Sequence, residues 1–224
     1  MHFRKAIALT AALFALAFGA WAQAPYATLS PPQPTDGGGK IEVIEFFWYG
    51  CPHCYNLEPE VVSWTKKMPK DVVFKRIPAV PSEAWAEGAK IYYTLEAMGL
   101  LEPYHQKVFD AMHKDNVNLQ NKRLREEWLT KNGVDVAKYN ETEKSFTVAS
   151  KLARARQMTQ SYKVDGVPRV IVNGKYYTAG ELAGGPQRVF AIVDQLVDMA
   201  RHESPTTASA PAAAQPAAAH PAKK

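Results

Sequence analysis

The sequence predicts an α/β domain: a β-α-β unit near the front, a long block of helices, and a β-β-α ending. Three observations carry that reading. A compact apolar run, Ile41 to Trp48 (IEVIEFFW), follows the breaker Asp36-Gly37-Gly38-Gly39 and leads into a segment of helical spacing. From Pro81 to Tyr162 apolar residues recur three and four apart, punctuated by Gly99, Asn116 to Asn118 and Asn132-Gly133. Strand signals return only at Arg169, around Asn173-Gly174, a strong hairpin signal between β-rich runs.

Taken in order, Ile41 to Trp48 reads as a buried strand. Pro52 to Lys67 reads as a helix on the spacing of Leu57, Val61, Val62 and Trp64, and Pro59 inside it predicts a kink. Val72 to Ile77 (VVFKRI) is a second strand, parallel to the first across a right-handed crossover. Helices follow over Glu83 to Met98, Glu102 to His113, Asn121 to Lys131 and Phe146 to Tyr162. Arg169 to Val172 and Lys175 to Thr178 make the hairpin, and Glu181 to Arg201 is one closing amphipathic helix.

The two ends read differently. Met1 to Lys5 carries two positive charges, Ala6 to Ala22 none, and Ala20-Trp21-Ala22 is a small-x-small triplet; residues 1–22 read as a cleavable export signal. From Pro205 onward nine Ala and four Pro leave nothing to bury, so 204–224 reads as a disordered spacer. Between them the sequence divides into a lead-in (23–39), a first part of the sheet domain (40–80), an inserted helical domain with its connecting helix (81–162), and a second part (163–203). Of 27 Lys and Arg, Arg4 and Lys5 fall in the signal and Lys223 and Lys224 in the tail, which leaves 23 against 22 acids. A body so nearly neutral argues against nucleic acid as a partner.

Only two cysteines occur, Cys51 and Cys54, and they are three apart. A disulfide closing so short a loop gains about 2 kcal/mol, against nearly 5 for a loop of about a hundred residues. Stapling is a poor reason to keep such a pair in an exported protein. Zinc is a poor reason too, because no second C-x-x-C or H-x-x-x-H is present to complete a site. A C-x-x-C beside a β-α-β pattern is instead a redox signature. Cys51 falls where the strand ends, with Pro52 at the first helical position, so its sulfur faces unpaired N–H groups and the positive end of the helix dipole. His53 adds a donor or a positive charge. All of these favour thiolate over thiol at Cys51. Cys54, one turn further in, becomes the resolving sulfur. Stabilising the thiolate stabilises the reduced pair and makes its disulfide an oxidant, by about 30 mV for each pKa unit below ambient pH.

The run Glu45-Phe46-Phe47-Trp48-Tyr49-Gly50-Cys51-Pro52-His53-Cys54-Tyr55, the helical block, and Gly166-Val167-Pro168 before Val170-Ile171-Val172-Asn173-Gly174-Lys175-Tyr176 together resemble the DsbA family of periplasmic thiol:disulfide oxidoreductases. The resemblance runs over most of Lys40 to Arg201. It implies an α/β, thioredoxin-like fold with an inserted all-helical domain, and a cis peptide bond between Val167 and Pro168 beside the cysteines. It implies that Cys51, Pro52, His53, Cys54 and Pro168 form the reactive centre, with the Val167 backbone offered to an extended substrate. Glu45 matches the family's buried acid beneath the cysteines, and Lys75 its cationic neighbour. The family also implies unfolded exported proteins as substrates, reoxidation by a DsbB-like, quinone-linked inner-membrane partner, no soluble cofactor, no metal, and a periplasmic monomer. Strong oxidation from a low-pKa cysteine is a property for which DsbA is itself a standard example, so the direction argued above is not independent of the resemblance.

Strand parity puts Glu45 inward with Ile41, Val43 and Phe47, and Glu42 outward and exposed; an ion pair between Glu45 and Lys75 is the structural alternative to a functional role. His105 and His113 read as solvated helix residues. Lys122 to Glu127 reads as a charged outer face, with Leu124 and Trp128 turned inward, and Met98, Met112 and Met158 as filler. Trp85 stands near the start of the insert. Two redox alternatives remain: a thioredoxin-like reductant, which would lack the helical insert, and an isomerase, for whose dimerisation domain Gln23 to Gly39 is too short. A peptide-binding chaperone would leave the cysteines idle.

Overall fold

The computed structural model describes residues 24–203, so the readings of an export signal and a disordered tail concern segments outside the described residues. Five strands form one mixed sheet in the order β1-β5-β4-β2-β3: β1 (Ala27–Thr28), β2 (Ile41–Phe47), β3 (Val72–Pro78), β4 (Arg169–Val172) and β5 (Tyr176–Thr178). β2 runs parallel to β3 and antiparallel to β4, and β4 and β5 form the Asn173-Gly174 hairpin. Asn173 and Gly174 both have positive φ, 51° and 65°, which explains why these residue types stand there.

Helix α1 (Pro52–Thr65) makes the crossover from β2 to β3 and runs unbroken through Pro59. The insert holds α2 (Glu83–Ala97), α3 (Leu101–His113), α4 (Lys122–Lys131), α5 (Val136–Glu143) and α6 (Phe146–Ser161). The chain is thus a thioredoxin-like fold carrying a helical insertion. One buried cluster joins Phe47, Tyr49 and both cysteines to Tyr92, Leu95 and Phe109 of the insert, so insert and reactive strand share a core. A second packs α1 and the closing helix on one face of the sheet, through Val43, Leu57, Val61, Val193 and Leu196.

Three elements differ from the sequence reading. The closing helix is not continuous from Glu181: a short α7 (Gly180–Ala183) ends at Gly184 with φ 78°, a 3-10 turn covers Pro186–Arg188, and α8 (Val189–His202) follows. Gly184-Gly185-Pro186 interrupts an apolar pattern that periodicity alone would join. Helix α5 was not foreseen. It buries only Tyr139 and is started by Asp135, whose carboxylate accepts from the Lys138 N–H at 3.0 Å, so it has no periodic stripe to read. In α4 the charged run is not wholly outward, since Arg125 is buried and bonds Glu143 and the Leu119 carbonyl. Leu124 and Trp128 are only half-buried, and Leu129 fills the core instead.

Candidate active site

The apolar run of β2 delivers the chain to a tight turn, in which the Cys51 N–H donates to the Trp48 carbonyl at 3.0 Å. Cys51 is the N-cap of α1, with extended backbone (φ −93°, ψ 116°) and Pro52 at the first helical position. Its sulfur therefore lies over the open end of the helix. Both cysteines are free thiols in this structure. Cys51 is 8% exposed and Cys54 1%, while Pro52 and His53 are exposed.

The two sulfurs are held in opposite states of proton affinity. Cys51 is brought down to about 6, first by the hydrogen bond from the Cys54 thiol, then by the backbone N–H groups of Cys54 and His53, and last by charge on His53; partial burial opposes these. The Cys54 thiol is pushed well up, chiefly by burial, with the Cys51 sulfur and the Glu45 carboxylate adding to it. The helix-terminal N–H groups and His53, which the sequence reading weighs, are among the lowering contributions. The leading contributor, the resolving cysteine itself, was not weighed there.

Across from Cys51 the chain returns at Val167-Pro168, and that peptide bond is cis. The Cys51 thiol donates to the Val167 carbonyl at 3.4 Å. Val167 and Pro168 are half-buried, on a rim that includes exposed Gly166. Trp85 stacks on Trp48, ring centroids 4.4 Å apart and planes 18° from parallel, so the insert touches the turn that carries Cys51.

Beneath the cysteines the sequence reading needs correction. Every residue from Glu42 to Phe47 is buried, because β2 lies inside the sheet with packing on both faces, and parity cannot separate inward from outward there. Glu42 is 2% exposed rather than exposed, and it pairs with Lys75 at 2.6 Å. Glu45 is not paired with Lys75. In the parallel register Lys75 stands opposite Ile44 and Arg76 opposite Glu45, so Arg76 is the cation at Glu45, Nε to Oε2 3.4 Å. The Arg76 fork also holds Glu58 of α1 at 2.6 Å, a second buried acid that the sequence reading passed over. Burial holds the Glu45 carboxyl well above the carboxylate range, Arg76 opposing and Glu58 reinforcing.

The histidines of α3 are also not solvated. His105 is 6% exposed, with Nδ1 2.7 Å from the Tyr49 hydroxyl and Nε2 3.6 Å from Glu58. Eight residues on, His113 donates from Nε2 to the Tyr49 carbonyl at 2.7 Å and stacks on Tyr55. Tyr49 is thus gripped at both ends by α3, two residues before Cys51. Among the described residues no group of acids, histidines and cysteines could hold a metal ion, and no helix is long and apolar enough to cross a membrane.

The family described as DSBA-like thioredoxin domain matches residues 67–197. This chain belongs to that family. The match begins after the cysteines, so family and motif are separate observations that agree. The chain is similar to the thiol:disulfide interchange protein DsbA of Pseudomonas aeruginosa, 40% identical over 176 residues, 79% of this chain and 83% of that protein. The DsbA of Bordetella parapertussis is 40% identical over 190 residues, 84% and 90% of the two chains. Among solved structures, Pseudomonas aeruginosa DsbA superposes with a TM-score of 0.75 at 40% identity, covering 80% of this chain and 93% of that one. Oxidoreductase DsbA from Xylella fastidiosa superposes with a TM-score of 0.72 at 29% identity, covering 79% and 95%.

Proposed function

We infer that this DsbA-family chain is a thiol:disulfide oxidoreductase working in the oxidising direction, handing a Cys51–Cys54 disulfide to protein thiols. The observation that carries the direction is the split between the sulfurs, Cys51 at about 6 and Cys54 well above the ordinary thiol value. At pH 7 a thiol of pKa about 6 stabilises the reduced pair by about 1.4 kcal/mol relative to an ordinary cysteine, or about 30 mV.

In the reaction a substrate thiolate attacks the Cys51 sulfur and the Cys51–Cys54 bond breaks. A mixed disulfide forms at Cys51, and the departing Cys54 sulfur takes up a proton. A second substrate thiolate attacks the substrate sulfur of that mixed disulfide. The substrate leaves oxidised, Cys51 departs as thiolate, and the enzyme holds both electrons. Cys51 departs readily because its charge is already accommodated by Cys54 and the helix N–H groups. His53 supports that charge from the surface. Val167, whose carbonyl is 3.4 Å from the Cys51 sulfur, offers backbone beside which an extended substrate segment aligns. Glu45, coupled in charge to Cys54, receives and returns the resolving proton. Arg76 takes the cationic role that the sequence gave to Lys75.

Newly exported, incompletely folded proteins are the substrates, and a DsbB-like, quinone-linked membrane protein is the reoxidant. The periplasm is the site of action, reached through the export signal over residues 1–22. Equilibration of the protein with glutathione buffers, with the Cys51–Cys54 state read by mass, tests the reading. A pair that stays largely reduced in buffers that oxidise thioredoxin supports it. A pair oxidised as readily as thioredoxin refutes it.

A further inference from the structure

His105 has no part in the exchange just described, yet its position is hard to account for as packing. Its ring is buried among Phe47, Tyr49, Tyr92 and Phe109. Nδ1 is engaged by the Tyr49 hydroxyl, but Nε2 is buried with no hydrogen-bond partner among the described residues. At 3.6 Å from Glu58 Oε2 it stops just short of a bond. A buried ring nitrogen left unpaired costs about 1–3 kcal/mol, so its presence asks for a purpose.

The surroundings supply one. Glu45 and Glu58 flank the single guanidinium of Arg76, so a proton gained at one changes the charge the other feels. Glu45 and Cys54 are both 1% exposed and neither reaches solvent. Glu58, Arg76 and His105 lie nearer to it: all three line a groove of about 830 Å³ between α1, β3 and the insert, although Glu58 and His105 are themselves buried in its floor. That groove has neither cysteine in its walls. The groups facing the ring are Glu58 from α1, Arg76 from β3, Tyr92 from α2, Tyr49 from the turn, and Glu102 on its own helix.

We propose that His105 acts through Glu58 as the outlet by which the proton of Cys54 passes between the buried Arg76 cluster and solvent. The inference rests on the oxidoreductase reading and adds a residue to it, in a positioning rather than a catalytic role. During reoxidation the Cys54 sulfur attacks Cys51 in a mixed disulfide, its S–H proton goes to the ionised form of Glu45, and the partner sulfur leaves as thiolate with the electron pair. One proton then leaves the cluster through the His105 Nε2 to the groove. When Cys54 is reduced the same route runs inward. Burial holds the His105 ring below the ordinary histidine value, against Glu58; the route requires the neutral tautomer in which Nδ1–H donates to the Tyr49 oxygen and Nε2 carries the accepting lone pair.

The experiment uses reduced full-length protein and oxidised glutathione, and follows two steps by rapid quench and mass: attack of Cys51, and resolution of the glutathione adduct by Cys54. In His105→Gln, attack is expected within twofold of native and resolution about tenfold slower at pH 7, at the low end of what proton transfer contributes. In His105→Ala, imidazole in the buffer should restore resolution and leave attack unchanged. Resolution within twofold of native in His105→Gln overturns the proposal, and so does a slowing that imidazole does not relieve. Should the alanine variant not fold, Tyr49→Phe frees Nδ1 and is expected to slow resolution by a smaller factor and shift its pH midpoint; no change there overturns the proposal equally. If the native protein itself fails to form and resolve the adduct, it is the oxidoreductase reading that falls.

Discussion

Arg76→Met removes the one cation between two buried acids. The guanidinium lies 2.6 Å from Glu58 and 3.4 Å from Glu45, and both carboxylates are almost wholly out of water. Taking one partner from a buried ion cluster leaves uncompensated charge, at a cost of about 3–5 kcal/mol. For a body of this size that is a fall in Tm on the order of 10 °C. The pH dependence has a definite sign. Burial raises the Glu45 carboxyl above its unfolded value of 4.5, so its contribution to stability is complete below that value and is lost as pH rises through the folded one. Arg76 is what pulls it down, so without Arg76 the loss extends to higher pH and grows. Urea unfolding at pH 5 and pH 8 is the assay. The deficit of Arg76→Met is expected to be larger at pH 8 than at pH 5, by about 0.4 kcal/mol from Glu45 alone. Adding Glu45→Gln should recover a large part of it at pH 8. A deficit below about 1 kcal/mol, or one equal at both pH values, would refute the assignment of Arg76 as the buried counter-ion.

Three further outcomes follow. Cys54→Ala should raise the Cys51 midpoint more than His53→Ala does, because the Cys54 thiol is the leading donor to that sulfur and the His53 charge the smallest contributor; thiolate absorbance against pH ranks the two. Ionisation of Cys51 should add about 1.4 kcal/mol to the stability of the reduced protein at pH 7, against about 2 kcal/mol that the short cross-link gives the oxidised one. That gain rises toward pH 9 and fades as pH falls through about 6, since a thiol depressed from 9.0 gives its stability only where it is ionised, and above 9.0 the raised Cys54 thiol offsets it; denaturant melts of both forms measure it. Gly88→Val should cost about 1–3 kcal/mol and alter the tryptophan emission, because even a Cβ at Gly88 comes within 3.1 Å of the Trp48 ring stacked on Trp85.

Much of this was legible in the sequence, for identifiable reasons. The β2-α1-β3 unit announced itself through a breaker, an apolar run and a proline at the helix start, and each signal is local. The cysteine pair was readable because three residues of spacing leave few chemical uses. What failed were readings of single residues, most of them made without the family resemblance, that needed to know what lies across a gap. Parity assigned Glu42 to solvent because alternation assumes one wet face, and β2 has none. Lys75 was named for Glu45 and Arg76 not considered, because register is fixed by pairing rather than by sequence. Glu58, His105 and His113 looked like ordinary polar helix residues, since the partners that bury them, Arg76 and Tyr49, sit 18, 56 and 64 positions away. A buried acid inside an otherwise apolar stripe, Glu58 beside Leu57 and Val61, was the one available signal.

The central claim is that negative charge is comfortable on the Cys51 sulfur, and the ultraviolet thiolate absorbance of the reduced protein against pH tests it most directly. The account predicts a first ionisation near 6, absent in Cys51→Ser, with Cys54 still protonated well above the ordinary thiol value. A single midpoint close to 9.0, the value of a cysteine left to water, would contradict it.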